Sequence, residues 1–245
     1  MPWSWTPNRR DERELMDAPG LPDAEVTEAY RVLTRVNRQF GNLRSVRRET
    51  ERWLAEDGPW GVGQVATLLD VGSGSGDIPR SLAGVAGRTA PTAVWALDRD
   101  PTAVSLAHRS GLNVVQGDAL RLPFADRSFD LVTAVKFAHH FAGSELTRLL
   151  AEMTRVARLR VLVLDLRRHW IAYYGFMAWS RVFTDSRLVR YDGPLSVLRG
   201  FTAQELGRLG TDLPAFEWTV RAYPGFQLAL VGRRLGNPDH RTSGA

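Results

Sequence analysis

The chain contains no cysteine and a single lysine, Lys136. Without thiols it can have no disulfide framework, no thiolate nucleophile and no cysteine metal site. It also lacks any apolar run near the roughly 20 residues that a bilayer crossing needs. Its beginning, M-P-W-S-W-T-P-N-R-R-D-E-R-E, has no apolar signal core, so the cytoplasm is the expected compartment by default. Missing too is any concentration of one charge. The net charge of +5 divides into ten arginines against eleven acids in residues 1–60, eleven bases against nine acids in 61–160 and eleven against seven in 161–245. A phosphate-tracking surface needs a local surplus of bases, so nucleic acid is not the expected partner. The pairs Arg9-Arg10, Arg47-Arg48, Arg167-Arg168 and Arg233-Arg234 read as solvated helix or terminus residues. No internal repeat is visible.

What is present suits one globular unit. At 245 residues and 44% hydrophobic content the chain can bury a substantial core. Residues 67–77 read T-L-L-D-V-G-S-G-S-G-D. Val65, Ala66, Leu68 and Leu69 have the composition of a buried parallel strand, and a helix is expected from Ile78, so the glycines turn a strand into a helix. Such a turn lets the backbone approach a ligand, because no Cβ intervenes and positive φ costs nothing. The dinucleotide fingerprint needs glycine at position 77, where Asp77 stands. A second strand, Ala93 to Leu97, ends at Asp98, placed to accept hydrogen bonds from ribose hydroxyls of a nucleoside. Asp100-Pro101 reads as an N-cap and first helical residue, with Gly111 ending the helix. A third strand, Asn113 to Gln116, leads into Gly117-Asp118-Ala119.

The D-x-G-x-G-x-G run, followed in order by Asp98, by Gly117-Asp118-Ala119 and by L-P-F-A-D-R-S-F-D-L-V at 122–132, resembles the small-molecule branch of the class I S-adenosylmethionine methyltransferases. That branch includes quinone-type and polyketide-type enzymes. The resemblance covers about residues 60–235 and is strongest over 67–141. It implies an α/β, Rossmann-like seven-stranded sheet with an N-terminal helical cap and a C-terminal antiparallel hairpin, and S-adenosyl-L-methionine as cofactor. The cofactor set it implies is Asp70, Gly72, Ser73, Gly74, Gly76, Asp98, Arg99, Asp118, Ala119 and Lys136. Within that set Asp118 would take the adenine amino group, Asp98 the ribose, Arg99 would pack by the adenine, and Gly72 to Gly76 would pass the methionine part.

The organisation follows the same outline. Residues 1–60 form an arm and helical cap, with helices from Asp23 to Gly41 and from Leu43 to Ala55, and a turn at 57–63. Residues 61–237 form the cofactor-binding core, with a substrate lid at about 167–200, and 238–245 read as a disordered tail. Later strands are expected at Asp130–Lys136 and Arg160–Leu166, with a helix at Ser144–Ala157 between them. Family members often carry a Pro-Gly turn before the fifth strand; here Ala157-Arg158-Leu159-Arg160 stand instead. Thr202-Ala203-Gln204-Glu205 is a capping box, and Glu217–Ala222 with Gln227–Val231 reads as a hairpin.

Chemistry is expected beyond the carboxyl end of the fourth strand, at Lys136-Phe137-Ala138-His139-His140-Phe141. Methyl transfer needs alignment, exclusion of water and removal of a proton, and His140 or His139 is the candidate base. Either histidine could instead hydrogen-bond the substrate or cap the next helix, and both could be structural. No metal is expected, because adjacent histidines project in different directions. Lys136 could reach the methionine carboxylate or the substrate, or snorkel to solvent. The Asn/Asp-Pro-Pro-aromatic signature of amino-methylating enzymes is absent, and the missing cysteines exclude cysteine-assisted pyrimidine methylation. Trp170, Tyr173, Tyr174, Phe176, Met177, Trp179, Phe183 and Tyr191 are expected to wall a pocket for a planar hydrophobic acceptor, or else to pack on the core or form a dimer contact. The expected activity is methylation of a small aromatic or lipophilic metabolite at a phenolic hydroxyl. Carbon methylation of a quinone precursor, a basic RNA-modifying enzyme and a non-catalytic cofactor-binding protein are the alternatives.

Overall fold

The computed structural model describes residues 6–57 and 65–236. The expected turn past Asp57 and the expected tail at 238–245 lie outside the described residues. Seven strands, β1 (Ala66–Val71), β2 (Thr92–Asp98), β3 (Asn113–Gln116), β4 (Phe129–Val135), β5 (Ala157–Leu166), β6 (Phe216–Tyr223) and β7 (Gln227–Arg234), form one sheet in the order β3-β2-β1-β4-β5-β7-β6. The first five are parallel; β7 pairs antiparallel with both β5 and β6, giving the expected hairpin. The strand order reverses between β1 and β4, so the glycine loop after β1 and the histidines after β4 emerge side by side at the switch point, where open sheets bind ligands.

Period-2 alternation builds the core on both faces. Leu69 and Val71 of β1, Val132 and Ala134 of β4 and Val161 and Val163 of β5 pack toward α5 (Gly143–Val156) through Leu146, Leu149, Leu150 and Met153. Leu68, Leu131, Val135, Leu162 and Leu164 face the other way, toward α2 (Asn42–Asp57) and α3 (Asp77–Ala86). A third cluster joins α1 (Asp23–Gln39) to α7 (Arg187–Arg199) through Ala29, Val32, Leu188 and Val189. Between β5 and α7 lies α6 (Trp170–Phe183).

Helix ends follow their side-chain chemistry. The Asp100 side chain accepts from the Thr102 N–H, and Pro101 opens α4 (Pro101–Arg109). At α8 (Ala203–Arg208) both capping-box bonds form between Thr202 and Glu205.

Two expectations are corrected. The fifth strand, expected from Arg160, begins instead at Ala157, which pairs with Phe129, and the Arg158 Nε donates to the buried Asp130 at 2.6 Å. Strand pairing and a buried carboxylate hold these residues extended. Nor are the arginine pairs uniformly solvated. Arg168 is 5% exposed and donates to the carbonyls of Pro7 and Gly200 and to Glu205 Oε1. Arg9 donates to the carbonyls of Arg199 and Phe141 and lies over the Phe201 ring. Both spend their donors stitching the N-terminal arm to the sheet end, and charge-assisted bonds to otherwise orphaned carbonyls keep a buried guanidinium tolerable.

Candidate active site

Gly72, Gly74 and Gly76 all take left-handed backbone conformations, with φ of 71°, 52° and 83°. Any other residue would be strained there, and a Cβ on Gly72 would stand 2.3 Å from the Phe137 ring. The loop is therefore a cradle that only glycine permits. Its floor is held by Asp98, whose Oδ2 accepts the Gly74 N–H at 2.8 Å and whose Oδ1 accepts the Asp100 N–H at 3.0 Å. Burial raises the Asp98 carboxyl above its ordinary range, against the pull of those N–H donors. Asp70, fully enclosed in β1, accepts from the Thr133 hydroxyl at 2.6 Å, and burial lifts its pKa to about 8. Ser73 Oγ and Lys136 Nζ are buried without a hydrogen-bond partner among the described residues. Burial pulls the Lys136 ammonium down to about 8, with Asp165 acting in the opposite direction. Orphaned donors beside a glycine cradle fit a polar ligand with a carboxylate, which is what the methionine part of S-adenosylmethionine offers.

α1 lies across this loop. The Tyr30 hydroxyl donates to Asp100 Oδ2 at 3.0 Å, and its ring approaches Gly74. Thr34 Oγ1 is 3.0 Å from Ser75 Oγ, and Asn37 donates to Asp77 at 2.8 Å. Ala119 is buried beneath the third strand's exit, where the Gly117 N–H donates to the Asp98 carbonyl. Arg99 and Asp118 are exposed; Asp118 Oδ1 accepts the Leu120 N–H at 2.9 Å, closing an Asx turn that fixes the loop.

Beyond β4, Ala138–His140 form a single 3-10 turn. His139 is 3% exposed: its Nδ1 meets Asp165 Oδ1 at 2.7 Å and its Nε2 meets Glu14 Oε1 at 3.4 Å. Burial alone would lower this imidazole, but Asp165 and Glu14 overcome it and hold the pKa near about 9. Asp165, which burial would raise, is held down to about 2 by His139 and Lys136. His139 is thus an imidazolium fixed between carboxylates, a positioning group. His140 is 21% exposed: Nδ1 lies 3.1 Å from Asp17 Oδ2 and Nε2 3.7 Å from Glu14 Oε2. The expectation that the two rings diverge is corrected, since their centroids are 4.5 Å apart at 33° and both present Nε2 to Glu14. The turn, rather than an extended strand, brings them together. With Glu14 they make a metal-type donor set whose ligand atoms lie within 4.8 Å of one another. Around His139, Asp165 and Glu14 account for its place in the set with a proton.

Sequence reasoning passed over most of this cluster. Glu14 and Asp17 come from an arm without periodicity, and Asp192 of α7 accepts the Leu15 and Met16 N–H groups at 2.7 and 3.0 Å, docking that arm. Burial, with Glu14 and Asp17 nearby, pushes Asp192 up to about 6. Ser196 donates to Glu14, and Arg199 donates to the carbonyls of Glu12, His139 and His140. Asp165 alone left a signal, an acid at the carboxyl end of a Val/Leu run. The aromatic set divides: Phe176 and Trp179 pack with Phe40 and the α1–α7 cluster, whereas Tyr174, Phe183 and Tyr191 are more than half exposed and do not wall an enclosed pocket.

Residues 69–163 match the family model of a methyltransferase domain. Demethylmenaquinone methyltransferase of Bacillus licheniformis is 34% identical over 116 residues, 45% of this chain and 48% of that protein. Phthiotriol/phenolphthiotriol dimycocerosates methyltransferase 1 of Mycobacterium ulcerans is 39% identical over 72 residues, 28% of this chain and 26% of the relative. The matches thus span about half or less of these curated relatives. Among solved structures, the plantazolicin methyltransferase BpumL in complex with SAH superposes with a TM-score of 0.64 at 12% identity, over 86% of this chain and 90% of that one. Magnesium protoporphyrin IX methyltransferase (ChlM) from Synechocystis with bound SAM gives 0.55 at 14% identity, over 89% and 99%. These structural likenesses establish a shared fold.

Proposed function

Since the chain carries a methyltransferase domain within the seven-stranded fold of the S-adenosylmethionine-dependent enzymes, we propose that it methylates a small aromatic or lipophilic metabolite, at a phenolic hydroxyl. The observation that carries the oxygen-transfer reading is His140. It stands at the switch point after β4, partly exposed, with Nδ1 on Asp17. A proton on Nδ1 donated to Asp17 leaves a lone pair on Nε2, the atom that would take the acceptor's proton. Asp17 fixes ring and tautomer; the buried His139–Asp165 pair holds the turn, and Arg199 holds its carbonyls.

S-adenosylmethionine supplies, when bound, a sulfonium methyl open to in-line displacement. The residues that would hold it are the Gly72–Gly76 cradle, Ser73, Asp98 toward the ribose, and Lys136 toward the carboxylate; Asp118 and Arg99 flank the adenine end. α1, clasped to the loop through Tyr30, Thr34 and Asn37, would exclude water. A second reading, methylation of a quinone-precursor ring carbon, is favoured by the demethylmenaquinone methyltransferase relative, and His140 would serve there by deprotonating a ring hydroxyl.

Calorimetry followed by product analysis with a phenol and a hydroxyquinol acceptor tests both readings. S-adenosylmethionine is expected to bind, and Asp98→Ala to lose at least about tenfold in affinity, since charge-assisted bonds contribute about 1.5–3 kcal/mol each. Unchanged affinity in that variant would sink the ribose assignment. A methyl ether product supports the first reading, and a C-methyl product the second.

A further inference from the structure

We infer that the outer face of α6 is a membrane-surface contact for an anionic lipid bilayer. Of the 14 residues in W-I-A-Y-Y-G-F-M-A-W-S-R-V-F, only Ser180 is buried, and the helix contains no acid. Ile171, Tyr174, Gly175, Ala178 and Val182 are exposed at spacings of 3, 4, 7 and 11 from Ile171, so they form one continuous stripe. Val182, at 73% exposure, and Phe183, at 56%, end it beside an open groove of about 580 Å³ also lined by Val32 and Arg35 and by the acids Glu25, Glu28 and Asp185, each ion-paired to an arginine. The inward side, Phe176 and Trp179, is already occupied by α1 and α7. A continuous apolar stripe with no covering element is a candidate contact surface, and the charge around it decides for what.

Charge selects the occupant. Around the helix, Arg187 is paired with Glu25 and Arg190 with Asp185. Arg181 on the helix, Arg35 beside its end and Arg167 before its start are exposed, and none has a carboxylate partner among the described residues. An apolar stripe rimmed by unneutralised arginines, with Trp170 stacked on Tyr174 at one end, has the make-up of a helix that lies in the headgroup layer of an anionic bilayer. A second copy fits less well. At about 21 Å long and about 10 Å wide, the face offers about 200 Å², against about 800 Å² per partner in a stable interface. The helix cannot span, since no helix among the described residues is long and apolar enough.

α6 follows β5 directly, on the acceptor side of the sheet, so a lipophilic acceptor would reach the site from the bilayer. That use rests on the proposed function; the binding does not. Flotation of the full chain with phosphatidylcholine vesicles, with and without phosphatidylglycerol, tests it. Wild-type protein is expected to float with the anionic vesicles, and about tenfold less in high salt. Ile171→Glu combined with Val182→Glu, both at exposed positions, is expected to lower partitioning at least about tenfold. Arg181→Glu alone is expected to lower it with the stripe intact, so the proposal stays testable if the double variant misfolds. Wild-type protein that stays down with both vesicles overturns the proposal, as does a folded double variant that floats like wild type. A dimer split by Val182→Glu, with no vesicle binding, overturns it in favour of a second copy. S-adenosylmethionine titration of the same samples reports separately on the methyltransferase reading.

Discussion

At the residue scale, the two adjacent histidines have opposite assignments because of what surrounds their nitrogens. His140 is the more exposed of the two, and its Nε2 stands 3.7 Å from Glu14. His140→Ala is expected to lower turnover about 100-fold while leaving S-adenosylmethionine affinity within twofold, as steady-state kinetics and calorimetry would show. Intact turnover would make the residue structural. His139 instead sets a pH dependence of stability. Its folded pKa, about 9, exceeds the unfolded value of about 6.5, so its contribution is complete below about pH 6.5 and is lost as pH rises through 9. Asp165, at about 2 when folded, adds stability above about pH 4 that is lost as pH falls through 2. Thermal melts are expected to show stability declining from pH 6.5 to 9, and His139→Gln to flatten that slope. A slope unchanged in the variant would remove His139 as its source. These roles were hidden in the sequence because both histidines read alike there; Glu14 and Asp17 are more than 120 positions away from them, and no local period announces such a contact.

At the element scale the sequence was far more legible. The glycine turn, the Asp98 strand end, the Asp100-Pro101 start and the Thr202 capping box are local signals, each set by backbone φ or by orphan N–H groups within a few residues. They appear in the structure where they were expected. The start of β5 and the roles of Arg9 and Arg168 were not legible, because pairing with Phe129 and burial under the arm are decided by tertiary neighbours. Likewise α6 read as a pocket wall from composition alone, and only its packing shows which side is covered. The capping box supports a measurable expectation. Thr202→Ala removes the acceptor of the Glu205 N–H and is expected to cost about 1 kcal/mol, a drop of about 2–4 °C in Tm by scanning calorimetry. The effect should exceed that of an ordinary exposed substitution, because Glu205 also holds the buried Arg168. No shift would show that Arg168 alone maintains the helix start.

At the scale of the whole molecule, the sheet carries the glycine loop, and the N-terminal arm and α7 together build the surroundings of the histidines. Asp17 of the arm steers His140, while Asp192, Ser196 and Arg199 of α7 hold the arm in place. This gives the site an order of assembly. The arm is synthesised before its docking partners, Asp192 and Ser196, which follow about 180 positions later, so Leu15, Met16 and Glu14 lack those partners until α7 has emerged. A chain ending between β5 and α7 carries the first five strands and the glycine loop but lacks Asp192, Ser196 and Arg199, the residues that hold the arm beside the histidines. If His140 is the base proposed above, such a truncated chain is expected to bind S-adenosylmethionine without turning it over, as calorimetry and product analysis would show.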